Sequence, residues 1–291
     1  MIWLPNIRNM LIDLHTHTTF SDGLMKVEEL VEKAGKRRLK LLALTDHDTV
    51  AGLSLFLKLC RKNKIPAIVG IELSTELEGQ ELHIVGYNFN RFFKQLLQIL
   101  KQQQHKRIER ARKIIARFQK IGIYFDKKTI QNLLSQPNVG KPQLGRAILQ
   151  GTSNQKILKR VFNFQGNLSD FIGGFLDQPG QFGYVPKKKL DSIKAIKLIS
   201  SAGGVAALAH PDLDLTNQQR AEYFIKKLKQ VGLWGLENPH NRLEAQPFFQ
   251  KLAQKNNLVL TFGSDTHNIK NIGVKIKKEQ FKNILGLLTQ N

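Results

Sequence analysis

Seven short apolar runs, each ending in a cluster of polar and metal-binding residue types, constrain this chain more than any other feature. They are LIDLHTH from Leu11, LKLLALTDHD from Leu39, IPAIVGIELS from Ile65, ELHIVGYN from Glu81, GGVAALAHPD from Gly203, GLWGLENPHN from Gly232 and NLVLTFGSDTH from Asn257. Runs this short, rich in aliphatic residues and bounded by polar ones, suit buried strands. Helix-like stretches follow several of them, over 26–38, 50–63, 191–202, 217–231 and 242–256. Strands alternating with helices predict an α/β fold with a mostly parallel sheet or barrel. In such barrels the loops after the strands build the active site, so the polar clusters would meet at one mouth.

The 291 residues suffice for a large domain carrying a smaller insertion. The stretch from Arg91 to Leu190 breaks the alternation. It opens with the basic helical segment FFKQLLQILKQQQHKRIERARKIIARFQKIGI and continues into Gly- and Phe-rich sequence. The expected organisation is a barrel from 1–90 and 191–291, with 91–190 as an inserted, mainly helical subdomain that binds substrate. Phe162, Phe164, Phe171, Phe175, Phe182 and Tyr184 would form the small core of that insertion.

No apolar run approaches the roughly 20 residues that a membrane span needs, so no membrane partner is expected. The opening MIWLPNIRNM is too short and too broken by Pro5 for a secretory signal. Met10 directly precedes the first motif, which marks residues 1–9 as an extension or a start-site artefact. The single cysteine, Cys60, excludes an internal disulfide and fits a reducing cytoplasm, the expected location. Lys and Arg number 45 against 23 Asp and Glu, a net charge of +22. That excess favours a polyanionic partner such as nucleic acid; a merely solvated basic surface is the plain alternative. Nothing points to an obligate protein partner.

Seven of the eight histidines sit in or just after the strand-like runs: His15, His17, His47, His83, His210, His240 and His267. Only His105 lies elsewhere, on the basic helix, as a surface residue. One such histidine alone is more often structural than a ligand; seven together point to a metal centre. Residues two apart on a strand face the same side, so His15 and His17 can meet one ion. Imidazole suits Zn, Fe and Mn. The carboxylates Asp22, Glu72 and Asp265 stand at equivalent strand ends and can bridge cations. Nitrogen and oxygen donors without cysteine favour a hydrolytic centre over a structural Zn site. Eight or nine candidate ligands are too many for one ion and fit two or three.

These motifs resemble those of the polymerase and histidinol phosphatase (PHP) family. DLHTHTTFSDG, LALTDHDTVAGL, GIELST, LHIVGYNF, VAALAHPD and FGSDTH match its motifs in order. Within it, the chain is most similar to the bacterial 3',5'-nucleoside bisphosphate phosphatases of the RNase AM type, which also act as 5'-to-3' exoribonucleases. The resemblance implies a distorted (β/α)7 barrel and a trinuclear site. It puts His15, His17, Glu72 and Asp265 around one ion. Glu72 would bridge to a second, completed by His83 and His210. Asp22, His47 and His267 would hold the third. Asp22 stands where some relatives have histidine. Mn is the first choice of metal, with Fe or Zn as alternatives.

Other residues take expected roles beside these ligands. Asp13, Asp46 and Asp48 flank ligand histidines and could orient them; Asp48 and His240 are the candidates for catalytic contact with substrate. In the insertion, GKPQLGRAIL resembles a family segment reading Gly-Arg-Pro-His, followed by an Arg. Lys141 replaces its first Arg, Gln143 its His, and Arg146 is retained. Lys141, Arg146 and Lys187 are the phosphate-binding candidates, although Lys is a poorer clamp than Arg.

Clustered cations lower the pKa of bound water toward roughly 7 and so supply hydroxide for attack on phosphorus. The expected substrate is a 3',5'-nucleoside bisphosphate or short 5'-phosphorylated RNA. A histidinol-phosphate phosphatase would share the chemistry but not explain the basic insertion. A non-catalytic nucleic-acid-binding module would not need the full ligand set. A metal-dependent amidohydrolase would usually add a bridging Lys at a strand end, and no Lys stands at the ends of the runs above.

Overall fold

The computed structural model describes residues 9–136, 139–186, 189–239, 243–268 and 272–287. Residues 1–8, His240 and Lys187 lie outside the described residues, so the expectations attached to them are not taken up below. In chain order the strands are β1 (Asn9–Ile12), β2 (Leu42–Leu44), β3 (Ala67–Leu77), β4 (Gln80–Tyr87), β5 (Leu190–Asp191), β6 (Val205–Leu208), β7 (Gly235–Glu237), β8 (Val259–Thr261) and β9 (Val274–Lys277). Helices α1 (Val27–Lys36) and α2 (Leu53–Lys62) follow the first two strands. Between β4 and β5 come α3 (Lys94–Lys120), α4 (Lys127–Ser135), α5 (Lys141–Leu149), α6 (Thr152–Phe162) and α7 (Leu168–Phe175). The remainder are α8 (Ser192–Ser201), α9 (Pro211–Asp214), α10 (Gln218–Gln230), α11 (Gln246–Lys255) and α12 (Lys278–Ile284).

The main sheet runs β2-β3-β4-β6-β7-β8, with β5 against β3. Its neighbours are parallel except at β4, which runs antiparallel to both β3 and β6. The reversal is local in origin. Glu78 and Gly79 alone join β3 to β4, with φ 51° and 75°, and two successive residues in that region make the tight turn that matches strand twist. Separately, β1 pairs antiparallel with β9. Beyond β1 the chain stays extended. Asp13 pairs with Leu42, Leu14 N–H donates to Phe262 C=O at 3.1 Å, and His17 N–H donates to Thr266 C=O at 3.0 Å. This segment therefore lies between β2 and the chain after β8, and it closes the α/β sheet into a distorted barrel. The seven strand-like runs all contain strands; β5 and β9 are additions, each at most four residues long.

Alternation decides which side chains fill the core. Met10, Ile12 and Leu14, then Leu41 and Ala43, join Ile68, Val85, Ala207 and Phe262 in one buried cluster. Tyr87 belongs to it and donates its hydroxyl hydrogen to Leu14 C=O at 3.1 Å. The helices cover the sheet through apolar stripes. On α1 the buried set is Val27, Leu30, Val31 and Ala34, the helical spacing. Its first turn is stopped by Glu29, which accepts the Lys26 N–H at 2.8 Å.

The chain divides into two compact units, one of residues 1–99 with 189–291 and one of residues 100–188. The second is helical and has its own core, including Ile114, Phe118, Leu144, Ile148, Leu158 and Phe171. Phe162, Phe164, Phe175 and Phe182 pack against it. Asp126 caps α4 by accepting Thr129 N–H at 2.8 Å, and Asn167 caps α7 by accepting Ser169 N–H at 2.8 Å. His105 is exposed on α3. Among the described residues no helix is long and apolar enough to cross a membrane.

Candidate metal centre

The extended segment after β1 places His15 and His17 together, both wholly buried, with ring centroids 5.1 Å apart. The segment is fastened on both sides. Thr16 N–H donates to Thr45 Oγ1 at 3.0 Å, and Thr16 Oγ1 donates to Ala43 C=O at 2.7 Å. Asp13 is the main anchor. Its carboxylate accepts from Ser264 N–H at 2.9 Å, Ser264 Oγ at 2.6 Å, Gly273 N–H at 2.6 Å and His15 N–H at 3.3 Å. Asp46 does the same beside His47, accepting Thr18 N–H at 2.7 Å, Thr18 Oγ1 at 2.7 Å and Ser21 Oγ at 2.6 Å. These bonds correct the expectation that Asp13 and Asp46 orient imidazoles: both are spent on backbone and hydroxyl donors.

Glu72, on β3, sits at the centre. Its Oε2 lies 3.1 Å from His15 Nε2, 3.1 Å from His17 Nε2 and 3.1 Å from His47 Nδ1. Its Oε1 lies 3.1 Å from His210 Nε2. Asp265 Oδ1 is 3.2 Å from His17 Nε2 and 3.6 Å from His15 Nε2. Asp22 Oδ1 is 3.3 Å from His267 Nε2, and Asp22 Oδ2 is 3.7 Å from His47 Nε2. Four ligand groups result: His15, His17, Glu72 and Asp265; His17, Asp22, His47 and His267; His47, Glu72 and His83; and His83, His210 and Asp214. All nine residues expected as ligands fall into this one contiguous cluster.

The donor geometry fits cations. Two ligand atoms each about 2.1 Å from one ion, at angles between square and tetrahedral, lie about 3.0–3.4 Å apart. The contacts around Glu72 have that spacing. His15 Nε2, both ring nitrogens of His17, His47 Nδ1 and Glu72 Oε2 are buried yet have no hydrogen-bond partner among the described residues. A buried polar atom without a partner is costly, and divalent cations held around Glu72 would satisfy these atoms, each ion taking one nitrogen of a given ring. Only imidazole and carboxylate donors take part; Cys60 is buried in α2.

Charge is finely opposed here. Burial disfavours a charged His17, yet Asp265 and Glu72 outweigh it and raise its pKa to about 10. Burial likewise opposes charge on His210, and Glu72 and Asp214 still raise it to about 9. His47 goes the other way, down to about 4, because burial and the neighbouring His17 and His83 prevail over Glu72 and Asp22. Burial would raise Glu72, but His47 and His15 hold it well below the ordinary carboxylate range. His210, Asp48 and Asp265 have positive φ, at 21°, 50° and 48°. Such backbone is sparsely populated by non-glycine residues, and here it gathers at one site.

Two residues that sequence reasoning left without a role belong to the site. Glu237, ending β7, places Oε1 and Oε2 each 3.1 Å from His15 Nδ1, and its Oε2 accepts His210 N–H at 2.7 Å. Asp214, on α9, contacts His83 and His210. The available signal was Glu237's place at a strand end; Asp214 gave none. Asp48 is 2% exposed. Its carboxylate accepts Ser74 N–H at 3.0 Å and its own N–H donates to Glu72 C=O at 2.8 Å. That geometry makes it a brace for the Glu72 strand rather than a group facing substrate. Lys141 and Arg146 belong to the helical unit, where Lys141 pairs with Asp177 and Arg146 is exposed on α5. Gln143 Oε1 accepts Gly140 N–H at 3.1 Å and so caps α5.

The family model described as PHP domain matches residues 13–290. The 5'-3' exoribonuclease Rnm of Escherichia coli is 30% identical over 270 residues, 89% of this chain and 85% of that protein. The 3',5'-nucleoside bisphosphate phosphatase of Chromobacterium violaceum is 29% identical over 259 residues, 88% of this chain and 87% of that protein. A solved structure described as an amidohydrolase from Chromobacterium violaceum, with bound sulfate and no metal, superposes with TM-score 0.78. It is 26% identical and covers 94% of this chain and 96% of its own.

Proposed function

The chain belongs to the PHP family, and from that premise we propose that it is a metal-dependent phosphoesterase acting on 3',5'-nucleoside bisphosphates and short 5'-phosphorylated RNA. The observation that carries the reading is Glu72. Its two oxygens face four imidazoles from three different segments at 3.1 Å each, which suits a bridging position between cations. The ligand supply fits two or three ions, with Mn first and Fe or Zn as alternatives. His15, His17, Glu72 and Asp265 would hold one, Glu72, His83 and His210 a second, and Asp22, His47 and His267 a third. Such ions, when bound, lower the pKa of water and neutralise a phosphate's charge.

The chain's own residues supply the rest. Asp13 and Asp46 fix the backbone of the ligand loops, and Glu237 holds His15. Asp265 and Glu72 keep the site anionic enough to retain cations. The helical unit supports a polyanionic substrate: residues 100–188 contain 17 Lys and Arg against 4 Asp and Glu. Arg146 and Lys141 are its phosphate-binding candidates, with Lys141 drawn from Asp177 when substrate is present. The phenylalanines of this unit are packed in its core, so its support for a polyanion rests on charge. The one cysteine, buried and unpaired, suits the cytoplasm.

The test is product analysis with Mn on 3',5'-bisphosphoadenosine, a 5'-phosphorylated RNA pentamer and histidinol phosphate. Phosphate or mononucleotide release from the first two, lost in Glu72→Gln, is the expected result. Release from histidinol phosphate alone would overturn the substrate class. No hydrolysis of any of the three by Mn-loaded protein would overturn the enzymatic reading.

A further inference from the structure

We infer that Asp214 is a positioning residue that orients both His83 and His210 toward the second cation. This rests on the cation assignment proposed above. His210 turns Nε2 to Glu72 Oε1 at 3.1 Å, so its Nδ1 faces away from Glu72. That nitrogen is buried, has no hydrogen-bond partner among the described residues, and lies 3.5 Å from Asp214 Oδ2. His83 Nδ1 hydrogen-bonds the same oxygen at 3.3 Å. The two rings stand edge to face with centroids 4.9 Å apart. One carboxylate oxygen thus addresses Nδ1 of both rings.

The placement is built rather than incidental. His210 and Asp214 are four residues apart around the short α9, a spacing that brings side chains onto one helical face. Pro211 starts that turn with a preset φ. Both ends of the turn are pinned from elsewhere: Glu237 accepts His210 N–H at 2.7 Å, and Gln80 Nε2 donates to Asp214 C=O at 2.8 Å. The Asp214 side chain is 13% exposed, so water competes weakly for it.

The chemical consequence follows from imidazole itself. A neutral ring has one N–H and one lone pair. A carboxylate at Nδ1 keeps the proton there and leaves Nε2 to a cation, while making the ring more basic. Asp214 is placed to do this for two ligands at once, bonded to His83 and 3.5 Å from His210 Nδ1, as Glu237 is for His15.

The experiment measures Mn bound per chain, by chelator competition and elemental analysis, for the wild type, Asp214→Asn and Asp214→Glu. The expected result is a roughly 10–100-fold weaker affinity for one ion in Asp214→Asn, partial recovery in Asp214→Glu, and an unchanged melting temperature of the metal-free proteins. Histidine-selective nitrogen NMR on the wild type, loaded with diamagnetic Zn, adds a readout that needs no variant. His83 and His210 should both carry the proton on Nδ1. Wild-type affinity in Asp214→Asn, or Nε2-protonated rings at His83 and His210, would overturn the inference. A wild type that binds no Mn would instead overturn the cation assignment beneath it.

Discussion

His15 is held between two carboxylates: its Nδ1 lies 3.1 Å from both oxygens of Glu237, and its Nε2 lies 3.1 Å from Glu72. Glu237 also accepts the His210 N–H. A single side chain at the end of β7 therefore sets ligands carried by the segments after β1 and after β6. The ring cannot rotate without losing one carboxylate, which pre-sets Nε2 toward the centre.

Replacing Glu237 by Gln tests this directly. The amide keeps the shape but removes the charge and one acceptor. Mn affinity is expected to fall about 10–100-fold, and phosphate release at limiting Mn to fall with it. Chelator competition measures the first and far-ultraviolet circular dichroism verifies that the fold is kept. An unchanged affinity would remove Glu237 from the site.

Gly263 is a second point of dependence, because of space rather than charge. A Cβ there would come 2.2 Å from His15 Cβ and 2.7 Å from Glu237 Oε1. Neither neighbour can yield without displacing a ligand. Gly263→Ala is expected to cost about 1–3 kcal/mol or more in stability, in line with overpacked cores. It should weaken Mn binding as well. The denaturant midpoint should fall at constant slope, the mark of a stability change alone.

Cation binding should also appear as stability. A site occupied at 100 times its Kd adds about 2.7 kcal/mol. Mn added at that excess is therefore expected to raise the melting temperature of the wild type by several degrees, and chelator to reverse it. Glu72→Gln should show a much smaller rise, since it loses the charge that two groups share. Equal rises in both proteins would place the stabilising ions elsewhere.

How far the sequence reveals this arrangement depends on the range of the interactions. The strand ends were legible because each apolar run is local and stops at its own polar motif. His15 and His17 were legible as a pair because strand periodicity is short-range. The turn at Glu78 and Gly79 was not read, so the antiparallel β4 was not expected, although two residues between strands decide it. β9 pairs with β1 across nearly the whole chain, and β5 has two residues; neither leaves a local signal. Asp13 and Asp46 look like histidine partners when only neighbours in sequence are considered. Their real partners, such as Ser264 and Gly273 for Asp13, are about 250 residues away. Glu237 reaches His15 over 222 residues. Asp214 depends on a single turn of helix after His210, where Asp212 and Asp214 look alike in the sequence. Gln143, which departs from the family's pattern, becomes intelligible as a helix cap.

The most direct measurement is anomalous X-ray diffraction from a crystal grown with Mn. The account expects at least two anomalous peaks, each within about 2.0–2.4 Å of a Glu72 oxygen, with His15 and His17 on one and His210 on the other. Anomalous density with no ion in contact with Glu72 would contradict it.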